Sequence, residues 1–312
     1  MAKGRTATIG CAEQIAYASY VSATNYRPAK NIGDGERRPV EVVDDMYAPG
    51  VGGHARHNQG QAVVNTPLSF FATYTNIGIW LKHAMGAVAT AGAGPYVHTF
   101  TLAELPAYGL SLELIRGAGW SNAERIAGAK INDWTLSGAA GATPLLFECT
   151  ILGRSSAWAS ASTPTYGTEA LIKPQQVGLL GFNSNTYKLR DFRLSGSNSL
   201  ERRDHMGSAY TDEPEGGGFR DVTLQATIEV TDETLITEHG ADTTGNVTLT
   251  ATGTGNNALA ITGYNGFITE VSAPTNQAGR LLQTVTWKMA PDASNSALKL
   301  ALTNDNATAT AN

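Results

Sequence analysis

The stretch Ser199–Val230, SLERRDHMGSAYTDEPEGGGFRDVTLQATIEV, changes character twice. It opens on a Glu-Arg-Arg triplet, passes through a loop of Gly, Pro and acids, and then becomes regular. Val222, Leu224, Ala226, Ile228 and Val230 alternate with Thr223, Gln225, Thr227 and Glu229, a period of two that places the sets on opposite faces of a β-strand. Upstream, Gly35–Phe71, GERRPVEVVDDMYAPGVGGHARHNQGQAVVNTPLSFF, runs the same course of triplet, Gly-rich acidic loop and strand. The chain therefore carries one unusual arm twice.

Outward from each arm the order continues in parallel. TDETLITEHGAD (231–242) places acids in a first helical turn and stops at Gly240, and TNIGIWLKHAMGA (75–87) aligns Ile77, Trp80, Leu81, Ala84 and Met85 on one helical face and stops at Gly86. Helices of about three turns are marginal alone, so each is expected to pack over an open end or face of a sheet. PYVHTFTLAELPAYGLSLELI (95–115) and NVTLTATGTGNNALAITG (246–263) both read as two strands joined by a turn. So do 125–152 and 266–289, with Leu145, Phe147, Cys149 and Ile151 on one face, matched by Leu281, Val285, Trp287 and Met289. GRSSAWASASTPTYGTEALIKPQQVG (153–178), rich in Ser, Thr and Pro, reads as the connection. The expected organisation is a first domain over 1–152, a linker over 153–178 and a second domain over 179–312, mainly β, each domain with one short helix.

Composition agrees with that class. The chain has 312 residues, 42% hydrophobic and 16% charged, with 34 Gly, enough to bury a core but short of apolar runs of helical length. A net charge of −5 argues against a module built to grip phosphates. MAKGRTATIG at the start lacks the apolar core of a signal peptide, so synthesis in the cytoplasm is expected. Cys11 and Cys149 lack metal-type spacing and are expected as reduced core thiols.

These features in combination resemble the tail tube proteins of long-tailed bacteriophages, in the class with two fused tube domains. The resemblance is carried by FRLSGSNSLERRDHMGSAYTDEPEGGGFRDVTLQATIEV (192–230), GPYVHTFTLAELPAYGLSLEL (94–114) and KINDWTLSGAAGATPLLFECTILGRS (130–155), and runs from about Thr75 onward. It implies two tandem β-sandwich or barrel domains, six of which, from three chains, close into a ring with approximate sixfold symmetry. Rings then stack into a hollow tube that conducts the genome. The implied location is the virion tail, of the flexible, sheathless type. The implied partners are further copies of the chain, a tape-measure protein, a tail terminator and distal tail proteins, with DNA only in passage and no membrane.

Under that resemblance the arms reach along the tube to the neighbouring ring. The candidate contacts are Asp44, Asp45, Tyr47 and Pro49 in the first arm and Tyr210, Asp212, Glu213, Pro214 and Glu215 in the second. Glu36, Arg37, Arg38 and Glu201, Arg202, Arg203 are candidates for intersubunit ion pairs, with a solvated strand end as the alternative. A duplex carries about one negative charge per 1.7 Å of axis, so a lining that lets it slide should be neutral or acidic. The candidates for lumen-facing positions are Glu148, Thr223, Gln225, Thr227 and Glu229.

No catalytic signature is present: the sequence has no GxSxG elbow, P-loop or HExxH. GTGNNA (253–258) fits a loose dinucleotide pattern but precedes a strand and reads as a hairpin turn. His54 and His57 stand three apart in the loop that also holds Asp44 and Asp45, a weak metal motif because a Gly-rich loop imposes no fixed geometry. Neither an enzyme nor a cofactor is expected. The alternative function is a carbohydrate-binding or adhesive β-protein, for which Trp80, Trp120, Trp134, Trp158 and Trp287 supply the aromatic surface.

Overall fold

The computed structural model describes residues 7–38, 40–43, 56–117, 120–167, 170–277 and 279–310. The first half contains β1 (Thr8–Glu13), β2 (Asn25–Pro28), β3 (Asn31–Ile32), β4 (Glu36–Arg37), the arm stem β5 (Val40–Val43) and β6 (Arg56–Gln59), β7 (Val63–Phe71) and α1 (Gly78–Met85). It continues with β8 (Gly86–Ala91), β9 (Tyr96–Leu102), β10 (Leu110–Ile115), β11 (Asn122–Ala139), β12 (Leu146–Gly153) and β13 (Ser155–Ser160). The second half begins with β14 (Leu180–Phe182), β15 (Asn185–Ser197), the arm stem β16 (Leu200–Glu201) and β17 (Glu215–Gly216), β18 (Asp221–Glu229) and α2 (Thr234–Gly240). β19 (Thr244–Thr252), β20 (Ala258–Val271), β21 (Thr275–Gln277), β22 (Arg280–Lys288) and β23 (Leu298–Asn304) complete it. The fold is mainly β, as the alternating patterns require.

Each half is built around one long strand that serves two sheets. The start of β11 pairs with β10 and β13, and from Lys130 the same strand pairs with β12. The start of β20 pairs with β19 and β23, and from Phe267 with β22. Left-handed backbone marks both corners, at Gly128 (φ 68°) and Asn265 (φ 42°). Gly128 also has Tyr17 and Arg154 where a Cβ would sit, so no other residue fits that bend without displacing them. Between the two sheets of the first half lie Phe70, Trp80 and Phe147, with Phe70 4.9 Å from Trp80 and 5.3 Å from Phe147. The Arg27 guanidinium, itself buried, stacks 4.2 Å above Phe70. Phe182 against Trp287 anchors the second half.

Three expectations change. Residues 95–115 do hold two strands, but these do not form a hairpin: β9 pairs with β8 and with β23 of the second half, while β10 pairs with β1 and β11. The true counterpart of β19–β20 is β10–β11, and β8–β9 is an extra hairpin that covers the outer edge of β23. Such a swap of partners is invisible to periodicity, which reports faces and not edges. The connection at 153–178 begins with β13, whose residues Ser155 to Ser160 pair with Ala127 to Asn122 of β11. Finally, α1 is enclosed almost all round, with only Lys82 among its residues less than fully buried, since it is packed among β8, β9 and β11. Consistent with these crossings, the buried apolar residues of both halves form one contiguous cluster.

Candidate functional site

The strands that follow the corners build one broad sheet across both halves. Its order is β3, β7, β12, the end of β11, β15, β18, β22 and the end of β20. The seam between halves is an antiparallel ladder from Asp133↔Ser197 to Ala139↔Asp191. At the seam Gly196 lies opposite Trp134, so close that the indole occupies the space a Cβ would need.

One face of this sheet is buried and the other is polar. Across the polar face runs a row of directly opposed residues: Ser69, Glu148, Thr135, Ser195, Thr223 and Lys288. Parallel rows bring Gln225 beside Arg193 and Thr286, and Thr227 beside Asp191 and Thr284. The hydroxyls bond to one another and to the acids: Ser195 Oγ lies 2.9 Å from Thr223 Oγ1, and Thr227 Oγ1 donates to Asp191 at 2.9 Å. Lys288 pairs with Asp221 at 2.8 Å. Glu148, Thr223, Gln225, Thr227 and Glu229 thus share a single surface, although they come from separate halves. Among the charged groups in these rows are Glu148, Asp191 and Glu229 with Arg193 and Lys288, and the Lys30 ammonium lies 5.9 Å over Phe71, on the same face as Ser69.

A family model described as phage tail tube protein matches residues 52–305, most of the chain and both halves of the sheet. The chain belongs to the phage tail tube protein family. It is thereby a structural protein of the bacteriophage virion tail. No curated protein matches it. Among the described residues, no helix is long and apolar enough to cross a membrane.

The arms of this tube protein leave from one end of the broad sheet. In the first, the stem pairs Val40 with Gln59 and Val43 with Arg56, while Asp44, Asp45, Tyr47, Pro49 and His54 lie outside the described residues. The second arm lies against the first half of its own chain. Ala62 N–H donates to Ala209 O at 3.0 Å, and the Gln61 amide donates to His205 O and Ser208 O. Tyr210 sits between the guanidinium groups of Arg38 and Arg154, at 5.4 and 5.6 Å. Tyr17 donates to Asp212 O at 3.1 Å, and Lys130, nearly buried on β11, pairs with Glu213. Burial with the nearby Glu213 charge pushes the Tyr17 phenol well up. Pro214 is buried, and Glu215 pairs with Arg203 at 2.5 Å.

Both charged triplets find partners within the chain. Glu36 accepts from Arg38 at 2.7 Å and from Ser156 N–H at 2.7 Å, and Arg37 pairs with Asp34. Arg202 pairs with Asp204. Through Ser156, Glu36 occupies an outward-facing donor of the β13 edge, a way of blunting a free strand.

Sequence reasoning passed over Tyr17, Lys130 and Arg154, because nothing local marks a residue that receives a distant loop. It also passed over Met206 and Phe219, which stand fully in solvent at 99% and 95% exposure. Large apolar residues in an otherwise polar arm were the available signal. Of the five tryptophans, Trp80, Trp134 and Trp287 are buried, while Trp120 and Trp158 form a half-exposed pair with centroids 5.6 Å apart.

Proposed function

We propose that three copies of the chain close into a ring with approximate sixfold symmetry, that rings stack into the tail tube, and that the polar face of the broad sheet lines the channel through which DNA passes. The observation that carries this reading is the β11–β15 seam. Two equivalent sheets already stand side by side, joined edge to edge within one chain, and the outer edges β3 and β20 repeat the kinds of edge that meet at the seam. Joining β20 of one copy to β3 of the next extends the same ladder, and closure leaves no sheet edge exposed.

The chemistry of the face suits passage. Threonine, serine and glutamine hydroxyls and amides offer no fixed cations for phosphates, and Lys288 is paired with Asp221, so repeated adhesion to a polyanion is reduced. The chain reads as two fused tube domains, with the first extended through β13. Tape-measure, terminator and distal proteins are the partners this role requires.

Negative-stain microscopy of the purified protein tests the reading. Threefold rings or hollow tubes are expected; a monodisperse monomer at high concentration would sink it. The carbohydrate-binding alternative has one observation in its favour, the exposed Trp120–Trp158 pair beside Ser121 and Asn122. Glycan binding by such a monomer, lost on Trp158→Ala, is the result that would favour it.

A further inference from the structure

The two halves meet inside the chain, and that junction shows what a junction between chains has to provide. Besides the β11–β15 ladder it includes the hairpin β8–β9 of the first half, which lies along β23 of the second. There Phe100 of β9 stands opposite Leu300, and both side chains are buried. The same hairpin helps to enclose α1.

Register identifies the counterpart of Leu300 in the first half. The long strands β11 and β20 correspond, with their corners at Gly128 and Asn265. Leu300 opposes Ile261, four residues before its corner, and Trp158 opposes Glu124, four residues before the other. Trp158 therefore holds the place of Leu300, and β13 the place of β23. Their surroundings differ. Among the described residues β13 pairs on one side alone, with β11, and Trp158 is 53% exposed, packed on Trp120 beside a shallow hollow that includes Ser121 and Asn122. Trp120, eight residues before its corner, matches Asn257, so both aromatic side chains are larger than their counterparts.

The element that covers Leu300 also lacks a counterpart. In the first half 24 residues, 86–109, separate α1 from β10 and hold the hairpin; in the second only three, 241–243, separate α2 from β19. The second helix is correspondingly bare, with Leu235 its one buried residue and Ile236 43% exposed. Two apolar features thus stand open at places that the in-chain junction covers.

We infer that in the ring the Trp120–Trp158 pair of one copy packs against α2 of the neighbouring copy, beside Ile236, and takes the space that β8–β9 fills within the chain. The inference rests on the ring reading above: when β20 of one copy joins β3 of the next, the second half stands to the next first half as the first half stands to the second. That repetition brings β13 up to α2. The missing hairpin leaves a gap two strands, or about 10 Å, wide, and a pair of indoles facing an isoleucine is of the size to fill it. The ring then alternates two kinds of junction, one sealed by a hairpin and one by aromatic side chains, so closure between chains depends on residues that a single chain leaves at its surface.

Oxidative footprinting of the wild-type protein before and after assembly tests this without any substitution. Trp120 and Trp158 are expected to lose their reactivity when rings form. Trp158→Ala, which shortens a half-exposed side chain, is expected to give a folded chain that no longer closes into rings. In the double variant Ser121→Cys, Thr237→Cys, which keeps both indoles, a short bis-maleimide should join neighbours into covalent trimers absent from either single variant, the native Cys11 and Cys149 being buried. Rings in which both tryptophans stay as reactive as before assembly, rings of Trp158→Ala as abundant as the parent's, or assembled double-cysteine rings that give no trimer overturn the inference and leave the ring reading standing. So do assembled tubes that bind glycans through the pair. Wild-type protein that never forms rings overturns the ring reading itself and this inference with it.

Discussion

Replacing Gly196 with alanine sets a methyl group where Cε2 and Cζ2 of Trp134 lie 2.5 Å away and Nε1 2.7 Å away. Both residues are on the broad sheet, directly opposed across the seam, and Trp134 is buried. The backbone at Gly196 is not left-handed, so the penalty is steric and not conformational. Overpacking of a core contact costs about 1–3 kcal/mol. Removing a glycine returns about 0.4–1 kcal/mol by restricting the unfolded chain. The expected net loss is about 1–2 kcal/mol, a fall in Tm of roughly 2–3 °C for a chain of this size. Calorimetry reads that fall, and a double-mutant cycle assigns it. Trp134 Nε1 has no acceptor among the described residues, so Trp134→Phe sacrifices no hydrogen bond. In that background Gly196→Ala should cost little, giving a coupling of about 1 kcal/mol or more. If Gly196→Ala is as stable as the parent, or costs the same in both backgrounds, the seam is not packed as argued.

Other perturbations read other parts of the molecule. The hydrogen bond from His83, with a further contribution from Lys82 2.7 Å away, holds the Glu13 carboxyl at about 2 against the opposing effect of burial. A depressed carboxylate stabilises the fold above its unfolded pKa of about 4.3, and that stability is lost as pH falls towards 2. Glu13→Gln should therefore destabilise near neutrality, with the difference from the parent shrinking between those limits; a difference constant with pH would reject the assignment. Burial raises the Cys11 thiol to about 11 and the Cys149 thiol further, so neither should react with a thiol reagent at pH 8 until denaturant is added, and rapid labelling of the native protein would contradict the buried placement. Lys130→Glu should release the second arm and speed proteolytic cleavage within 202–220, with Glu213→Lys in the same chain restoring resistance. Equal cleavage in all three proteins would show that the pair does not hold the arm.

Alternation along Val222–Val230 was sufficient to establish a strand with one wet face, and Leu145–Ile151 did the same for the first half, because a period of two reports which side chains are buried. The repeated order of charged triplet, arm, strand and helix was legible for the same local reason, and the matched residues 52–305 agree with the family it resembles. Edges are a different matter. Which strand lies beside β9 or β11 depends on hydrogen bonds between residues far apart in the chain, and Gly196 gives no local sign that it must admit Trp134 of the other half. Only the tertiary structure decided that β9 crosses to β23, that the second arm rests on Lys130 and Tyr210's two arginines, and that two sheets merge at one seam, since backbone donors and acceptors are alike at every residue and only packing selects among them.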